Sequence, residues 1–282
     1  MILLIGGTGK LGSRILEKLH LGGYEFKCFL RQYSEEIDDM GVEITYGSLE
    51  YYEDALRVMK GIDIVISTPC INGEYYENLI KACKESNIKQ GIFISSTSIF
   101  TKLNAKSKVT KLKREKAIKE SGIPYTIIRP TMIYGIKNDG NMCRLIKYLK
   151  KFPVMPIFGS GNYLMQPVLY DDLADAVIAA INNKAALNNE YNIAGLDEIT
   201  YNQVVDTVAE ALNKKILKVH LPYKLSLCLI KLFNKIIKNV IRVEQVERLN
   251  ENKNFSIQKA QSELGYRPKS FKCGITNEVQ SM

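Results

Sequence analysis

The 282-residue chain has no tryptophan and only two histidines, His20 and His220. Neither histidine belongs to a ligand-like cluster, so no metal is expected. Cysteine is thinly spread: Cys28, Cys70, Cys83, Cys143, Cys228 and Cys273 show no C-x-x-C spacing. Several lie in apolar runs, the pattern of buried thiols in a reducing cytoplasm rather than of a disulfide framework. There is no run of eighteen uncharged apolar residues, which excludes a spanning helix. No secretory leader is expected at a start that reads directly as a core strand. Internal repeats and low-complexity stretches are also absent. What remains is ordinary globular composition, 46% hydrophobic and 24% charged, long enough for one two-lobed unit or two small domains.

Acidic charge is in deficit: 39 Lys and Arg face 30 Asp and Glu, a net charge of +9. The basic residues gather at 102–119 and 214–242. The first run lacks the interleaved aromatics that stack on bases, so no nucleic-acid partner is expected. A solvated helix face, or attraction for a phosphate-bearing ligand, accounts for it.

The N-terminus carries the strongest positive signal. Met1-Ile-Leu-Leu-Ile5 runs into Gly6-Gly-Thr-Gly-Lys-Leu-Gly12, and a helix-like stretch follows from Ser13. An apolar strand, a glycine-rich turn and a helix start are the elements that hold a pyrophosphate. The turn needs positive φ and a bare backbone, and the helix N-terminus offers unpaired N–H groups. Strand-like segments at 2–5, 25–30, 43–46, 62–67, 91–95, 125–129 and 190–194 alternate with helix-like ones at 13–21, 52–59, 74–86 and 105–121. Several strands are continuous apolar runs, as expected where helices cover both faces of a parallel sheet. The fold expected is α/β, a doubly wound parallel sheet (Rossmann). Residues 1–135 would form the dinucleotide domain, completed by elements within 166–195. Residues 136–282 would form a smaller, mostly helical substrate lobe, with helices at 141–151, 173–182, 201–212, 224–242 and 256–264. Asp171 or Asp172 is expected to cap the helix at 173.

Arg31 stands at the end of the second strand, where an acidic residue would favour NAD and an arginine suits the 2′-phosphate of NADP. Lys10 adds a second cation. NADP is therefore expected over NAD, although both residues also fit ordinary surface charge. The 224–242 segment carries Lys231, Lys235, Lys238 and Arg242 at helical spacing among apolar residues. It suits peripheral contact with an anionic membrane or a lipid-linked substrate, and equally a packed helix with one solvated stripe.

The order of several motifs resembles the extended and atypical short-chain dehydrogenase/reductase superfamily, the group of NAD(P)-dependent epimerases, dehydratases and NmrA-like proteins. The matching pieces are Gly6–Gly12, Gly47-Ser-Leu49, Ile94-Ser-Ser-Thr-Ser98, Arg129-Pro-Thr-Met-Ile-Tyr-Gly135, Gln166-Pro-Val-Leu-Tyr-Asp-Asp-Leu173 and Glu263-Leu-Gly-Tyr-Arg-Pro268. The resemblance implies a cofactor path along Gly6, Thr8, Gly9, Lys10, Leu11 and Gly12, with Ser48 and Leu49 at the adenine. Ser67, Thr68 and Pro69 would pass the ribose and phosphates; Pro130, Thr131 and Ile133 would flank the nicotinamide. Ser96 matches the family's active-site serine, with Thr97 as the substitute if the register slips by one. Lys111 falls on the lysine that holds the nicotinamide ribose. The tyrosine four residues before it is replaced by Ser107, and no tyrosine occurs between Tyr76 and Tyr125. A serine hydroxyl is too weak an acid to inherit a phenol's proton transfer. Tyr134 is a further candidate for that role. Asn138, Asn141, Arg144, Asn162 and Gln166 would shape the substrate pocket. The implied function is an NADP-binding epimerase or reductase of a nucleotide-sugar-like or other small carbonyl or hydroxyl substrate, as a monomer or homodimer. The alternative, favoured by the missing tyrosine, is a catalytically silent redox sensor or assembly factor.

Overall fold

In a computed structural model, the described residues are 1–69, 75–103, 105–136, 139–224 and 248–282. Asn138 and nearly all of the 224–242 segment lie outside them, as do Cys70 and Cys228.

Thirteen strands are present among the described residues. Six come first: β1 (Ile2–Ile5), β2 (Phe26–Leu30), β3 (Glu43–Tyr46), β4 (Ile64–Ser67), β5 (Gln90–Ile94) and β6 (Tyr125–Pro130). Seven follow: β7 (Ile133–Tyr134), β8 (Val154–Phe158), β9 (Leu164–Met165), β10 (Val168–Leu169), β11 (Asn189–Ile193), β12 (Ile199–Thr200) and β13 (Leu217–Leu221). The central sheet has the order β11-β6-β5-β4-β1-β2-β3, and all its pairings are parallel. The chain reverses its direction of winding between β1 and β4, and that switch point is where open α/β sheets bind ligands. The glycine turn after β1 opens directly onto it.

Helices cover both faces. They are α1 (Lys10–Leu21), α2 (Glu35–Asp38), α3 (Tyr52–Val58), α4 (Tyr76–Glu85), α5 (Lys106–Glu120) and α6 (Met142–Lys151). After them come α7 (Tyr170–Ala180), α8 (Tyr201–Ala211), α9 (Gln258–Leu264) and α10 (Phe271–Gln280). The period-two alternation of β1 divides its side chains between two cores. Ile2 and Leu4 join Leu16 and Val177 under α1 and α7, while Leu3 and Ile5 join Leu79 and Ile118 under α4 and α5. Strands buried on both faces must be apolar throughout, and β1 and β4 are fully buried.

A third core is built on Tyr134, Ile146, Leu149, Val205 and Ile275. The chain after residue 136 contains more strand than its sequence suggests. Val154–Phe158 pairs in parallel with Leu217–Leu221, although Pro153 and Pro156 read as breakers; in a two-stranded ribbon the missing proline N–H faces no second neighbour. The C-terminal helix α10 was not foreseen. It is capped by Ser270, whose side chain accepts from the Cys273 amide. The expected aspartate cap of α7 is corrected. That helix begins at Tyr170 behind Leu169, and Asp171 and Asp172 stand inside its first turn. Asp172 is buried and accepts from the Lys269 amide at 2.8 Å, tying the C-terminal segment to α7. No helix among the described residues is long and apolar enough to cross a membrane.

Candidate dinucleotide and substrate site

Gly6 has φ +86 and a built Cβ there would lie 2.5 Å from Thr68 Oγ1, so the turn requires glycine. At Gly12 a Cβ would lie 1.9 Å from the Gly6 carbonyl oxygen; only glycine lets α1 start this close to the turn. The Gly9 amide closes on Gly6 O at 2.9 Å. Helix α1 then presents its N-terminus with no acidic residue in its first turn. Bare backbone and positive dipole make an anion cradle that fits a pyrophosphate.

Two cavities flank β1 at this edge. One, about 630 Å³, is lined by Gly6, Thr8, Arg31, Ser48, Leu49 and Pro69, with Gln32, Tyr33 and Tyr75. Its mixture of an apolar floor and exposed Arg31 suits an adenosine. Asp54 orders this end by accepting from the Ser48 amide at 2.9 Å. The other cavity, about 520 Å³, runs over Gly9, Lys10, Leu11, Gly12 and Thr68 to Ile94, Ser96, Lys111, Pro130, Thr131 and Ile133. Gly6, Thr8 and Pro69 are common to both, making one continuous trough. Fifteen of the sixteen expected cofactor positions line this trough; the exception is Ser67, which is buried at the end of β4 and off the trough wall.

A third cavity, about 530 Å³, opens from the trough, and Ser96, Lys111 and Thr131 line both. Among the described residues four cations line it, Lys102, Lys111, Arg248 and Lys253, against the one carboxylate of Glu251. That carboxylate accepts from Thr101 Oγ1 at 2.6 Å and from the Lys102 amide at 2.8 Å, which fastens the C-terminal segment to the turn after β5. Lys253 is pinned through its backbone, its amide donating to Leu164 O at 2.7 Å. Burial, then the Arg248 charge, push its amine down to about 8, with Glu251 opposing. A cavity with this excess of positive charge suits an anionic ligand.

Lys111 is buried although it belongs to a highly basic helix, and its Nζ donates to Ser98 Oγ at 2.8 Å. Ser107, one turn earlier, is exposed and outside the cavities. Ser98 was missed by the sequence argument, which stopped at Ser96 and Thr97; the four-residue hydroxyl run from Ser95 to Ser98 was the available signal. Ser96 Oγ accepts from the Ser98 amide at 3.2 Å, and Thr97 Oγ1 donates to Pro130 O at 3.1 Å. Beneath them, Glu115 binds the Arg129 guanidinium at 2.6 Å and accepts from Ser95 Oγ at 2.5 Å. This buried group braces α5, β5 and β6 under the site.

Other expected site residues fall elsewhere. Tyr134 is buried in the third core against the Phe271 ring, 5.3 Å between centroids, and lines none of these cavities. Burial raises its phenol far above the ordinary range, so the expectation of a proton-transfer role is corrected. Asn141 Nδ2 donates to Ile133 O at 3.1 Å and Asn162 Oδ1 accepts from Asn202 at 3.0 Å. These two, and exposed Arg144, do not line the third cavity. Gln166 does, but its amide is a structural clamp, donating to Gly195 O at 2.8 Å and accepting from the Phe255 amide at 2.9 Å.

Residues 6–153 match the family model described as NAD(P)H-binding, and the chain belongs to that family. It is 27% identical over 263 residues to an N-acetyl-alpha-D-glucosaminyl-diphospho-ditrans,octacis-undecaprenol 4-epimerase of Escherichia coli O157:H7, covering 80% of this chain and 76% of the relative. It is 29% identical over 244 residues to the isoflavone reductase homolog A622 of Nicotiana glauca, covering 78% and 76%. The fold matches that of UDP-glucose 4-epimerase from Thermotoga maritima in its structure with UDP-glucose. The TM-score is 0.75 at 20% identity, over 99% of this chain and 97% of that one.

Proposed function

We propose that this member of the NAD(P)H-binding family is an NADP-dependent epimerase or reductase acting on a sugar carried by a diphosphate. The carrying observation is the junction of the two compartments: Ser96, Lys111 and Thr131 line both the dinucleotide trough and the cationic cavity. A substrate carbon presented there would lie beside the nicotinamide end of the trough. When bound, the nicotinamide supplies hydride acceptance and donation. Arg31 binds the 2′-phosphate and gives NADP its advantage over NAD. Lys102, Arg248 and Lys253 neutralise the diphosphate. Lys111, oriented by Ser98, holds the nicotinamide ribose, and Ser96 meets the reacting hydroxyl, handing its proton to a bound water in place of the missing phenol. A lipid-linked diphosphosugar, the kind of substrate named for the Escherichia coli relative, fits this reading as well as a nucleotide sugar does. Monomer and homodimer are both compatible with this reading, in a reducing cytoplasm.

The test is direct. The protein is incubated with NADP⁺ and either UDP-N-acetylglucosamine or a short-chain prenyl-diphospho-N-acetylglucosamine, and proton NMR follows the anomeric and C4 signals. Formation of the 4-epimer supports the epimerase reading. NADPH consumption with a carbonyl substrate supports the reductase form. Tight NADPH binding with no turnover on either class would replace the reading with a dinucleotide sensor.

A further inference from the structure

A second cluster of chemistry-bearing side chains lies away from the trough, where the N-terminus of α6 meets the C-terminal helix α10. Asp139, Cys143 and Glu278 each bring one ligand-type atom to within 4.8 Å of the others. Cys143 and Glu278 are buried, Glu278 at 3% exposure. Both Glu278 oxygens and Asp139 Oδ2 are buried without a hydrogen bond of ordinary geometry among the described residues. The Cys143 thiol and the Gly135 amide stand beside Glu278 and favour its charged form, but burial outweighs them. Three inward-facing acceptor atoms without a well-formed hydrogen bond are an expensive arrangement in a packed interior.

Asp139 is oriented for the task. Its Oδ1 accepts from the Asn141 amide at 2.7 Å and from the Cys143 amide at 3.2 Å. That fixes the carboxylate at the start of α6 and turns Oδ2 toward the cluster. The Cys143 Sγ lies 3.6 Å from Ile136 O and 3.7 Å from Met282 Sδ, distances that a thiol gives up readily. The scarcity of histidine argues against histidine-based metal centres and says nothing about a thiolate with two carboxylates.

We propose that Asp139, Cys143 and Glu278 bind a zinc-class divalent cation that clips α10 to the start of α6. Thiolate and carboxylate bonds of about 2.0–2.3 Å in a tetrahedron place ligand atoms roughly 3.3–3.8 Å apart. The observed spread closes to that by small side-chain rotations, and a water completes the fourth position. Binding releases the thiol proton and any proton held by Glu278 to solvent, with no change in oxidation state. The cation's role is structural, because none of the three residues lines the trough or the cationic cavity.

The experiment uses the full chain without an affinity tag, stripped with a chelator and titrated with Co²⁺, then with Zn²⁺ in competition. Expected is about one ion per chain with a sulfur-to-cobalt charge-transfer band. Zn²⁺ should abolish the band and raise the thermal midpoint. Cys143→Ser should remove the band, and Glu278→Gln should weaken Co²⁺ binding by at least about tenfold. Cys273→Ser, at an exposed thiol away from the cluster, should keep both. NADPH affinity, unchanged in Glu278→Gln, shows that the variant is folded. Absence of the band in the native chain, or equal Co²⁺ binding in Glu278→Gln and native protein, overturns the proposal.

Discussion

Lys111 Nζ donates to Ser98 Oγ at 2.8 Å across the wall between α5 and the turn after β5. This pair holds Lys111 buried on the wall shared by the trough and the cationic cavity, while Ser107, one turn earlier, is exposed. Lys111→Met should weaken NADPH binding and reduce turnover by roughly 10²-fold or more, with Ser98→Ala intermediate. Ser107→Ala should leave both nearly unchanged. Ser96→Ala should lower turnover by about 10²–10⁴-fold with cofactor affinity retained. Steady-state kinetics with an NADPH titration separates these outcomes. A collapse of activity in Ser107→Ala would refute the assignment.

Cofactor choice rests on Arg31. Native protein should bind NADPH more tightly than NADH, and Arg31→Ala should close most of that gap. The loss should be about 1.5–3 kcal/mol if the guanidinium makes a charged hydrogen bond to the 2′-phosphate. Fluorescence titration with both nucleotides checks it; equal native affinities would contradict it.

The buried Glu115–Arg129 pair has side-chain exposures of 5% and 10%, so removing one partner strands the other's charge. Glu115→Ala should cost roughly 3–5 kcal/mol in urea unfolding. Replacing both partners with apolar residues of similar volume should cost much less. Equal losses in the single and double variants would mean that the pair's packing, and not its charge, matters.

Lys253 gives the site a pH dependence. Its amine, held down to about 8 by burial and Arg248, is charged below that value and neutral above it. Affinity for a diphosphosugar should therefore be greatest below pH 8. It should fall as pH rises through 8, by up to about tenfold per unit until the bound-state value is reached. Lys253→Arg should flatten the decline. Calorimetric titration across this range reads it.

The parallel sheet was legible because its strands are apolar on both faces and its turns carry glycine where the backbone demands it. Gly6 and Gly12 are cases where geometry and residue type leave one solution. The trough was legible for the same reason, since the glycine turn and the helix N-terminus make much of its wall. The cationic cavity was less so. Arg248, Glu251 and Lys253 are distant in sequence from Ser96 and Lys111, and only the docking of the C-terminal segment on Thr101 brings them together. Tyr134 misled because its motif borders the trough through Pro130, Thr131 and Ile133 while the side chain turns the other way, into the core with Phe271. The β8–β13 ribbon was hidden by its prolines.

A further test bears on the turn. Gly12→Ala forces a Cβ to within 1.9 Å of the Gly6 carbonyl, so the start of α1 must shift. The variant should lose about 1–3 kcal/mol of stability and most of its NADPH affinity. Unchanged affinity would remove the cradle from the account.

The central claim is that the trough and the cationic cavity form one site with a shared wall. A crystal structure of the ternary complex with NADPH and a diphosphosugar tests it most directly. The account predicts pyrophosphate against Gly6–Gly12, the nicotinamide between Thr131 and Lys111, and the sugar beside Ser96 with its diphosphate on Arg248 and Lys253. A dinucleotide seated away from the glycine turn, or a diphosphosugar bound outside the cavity, would contradict it.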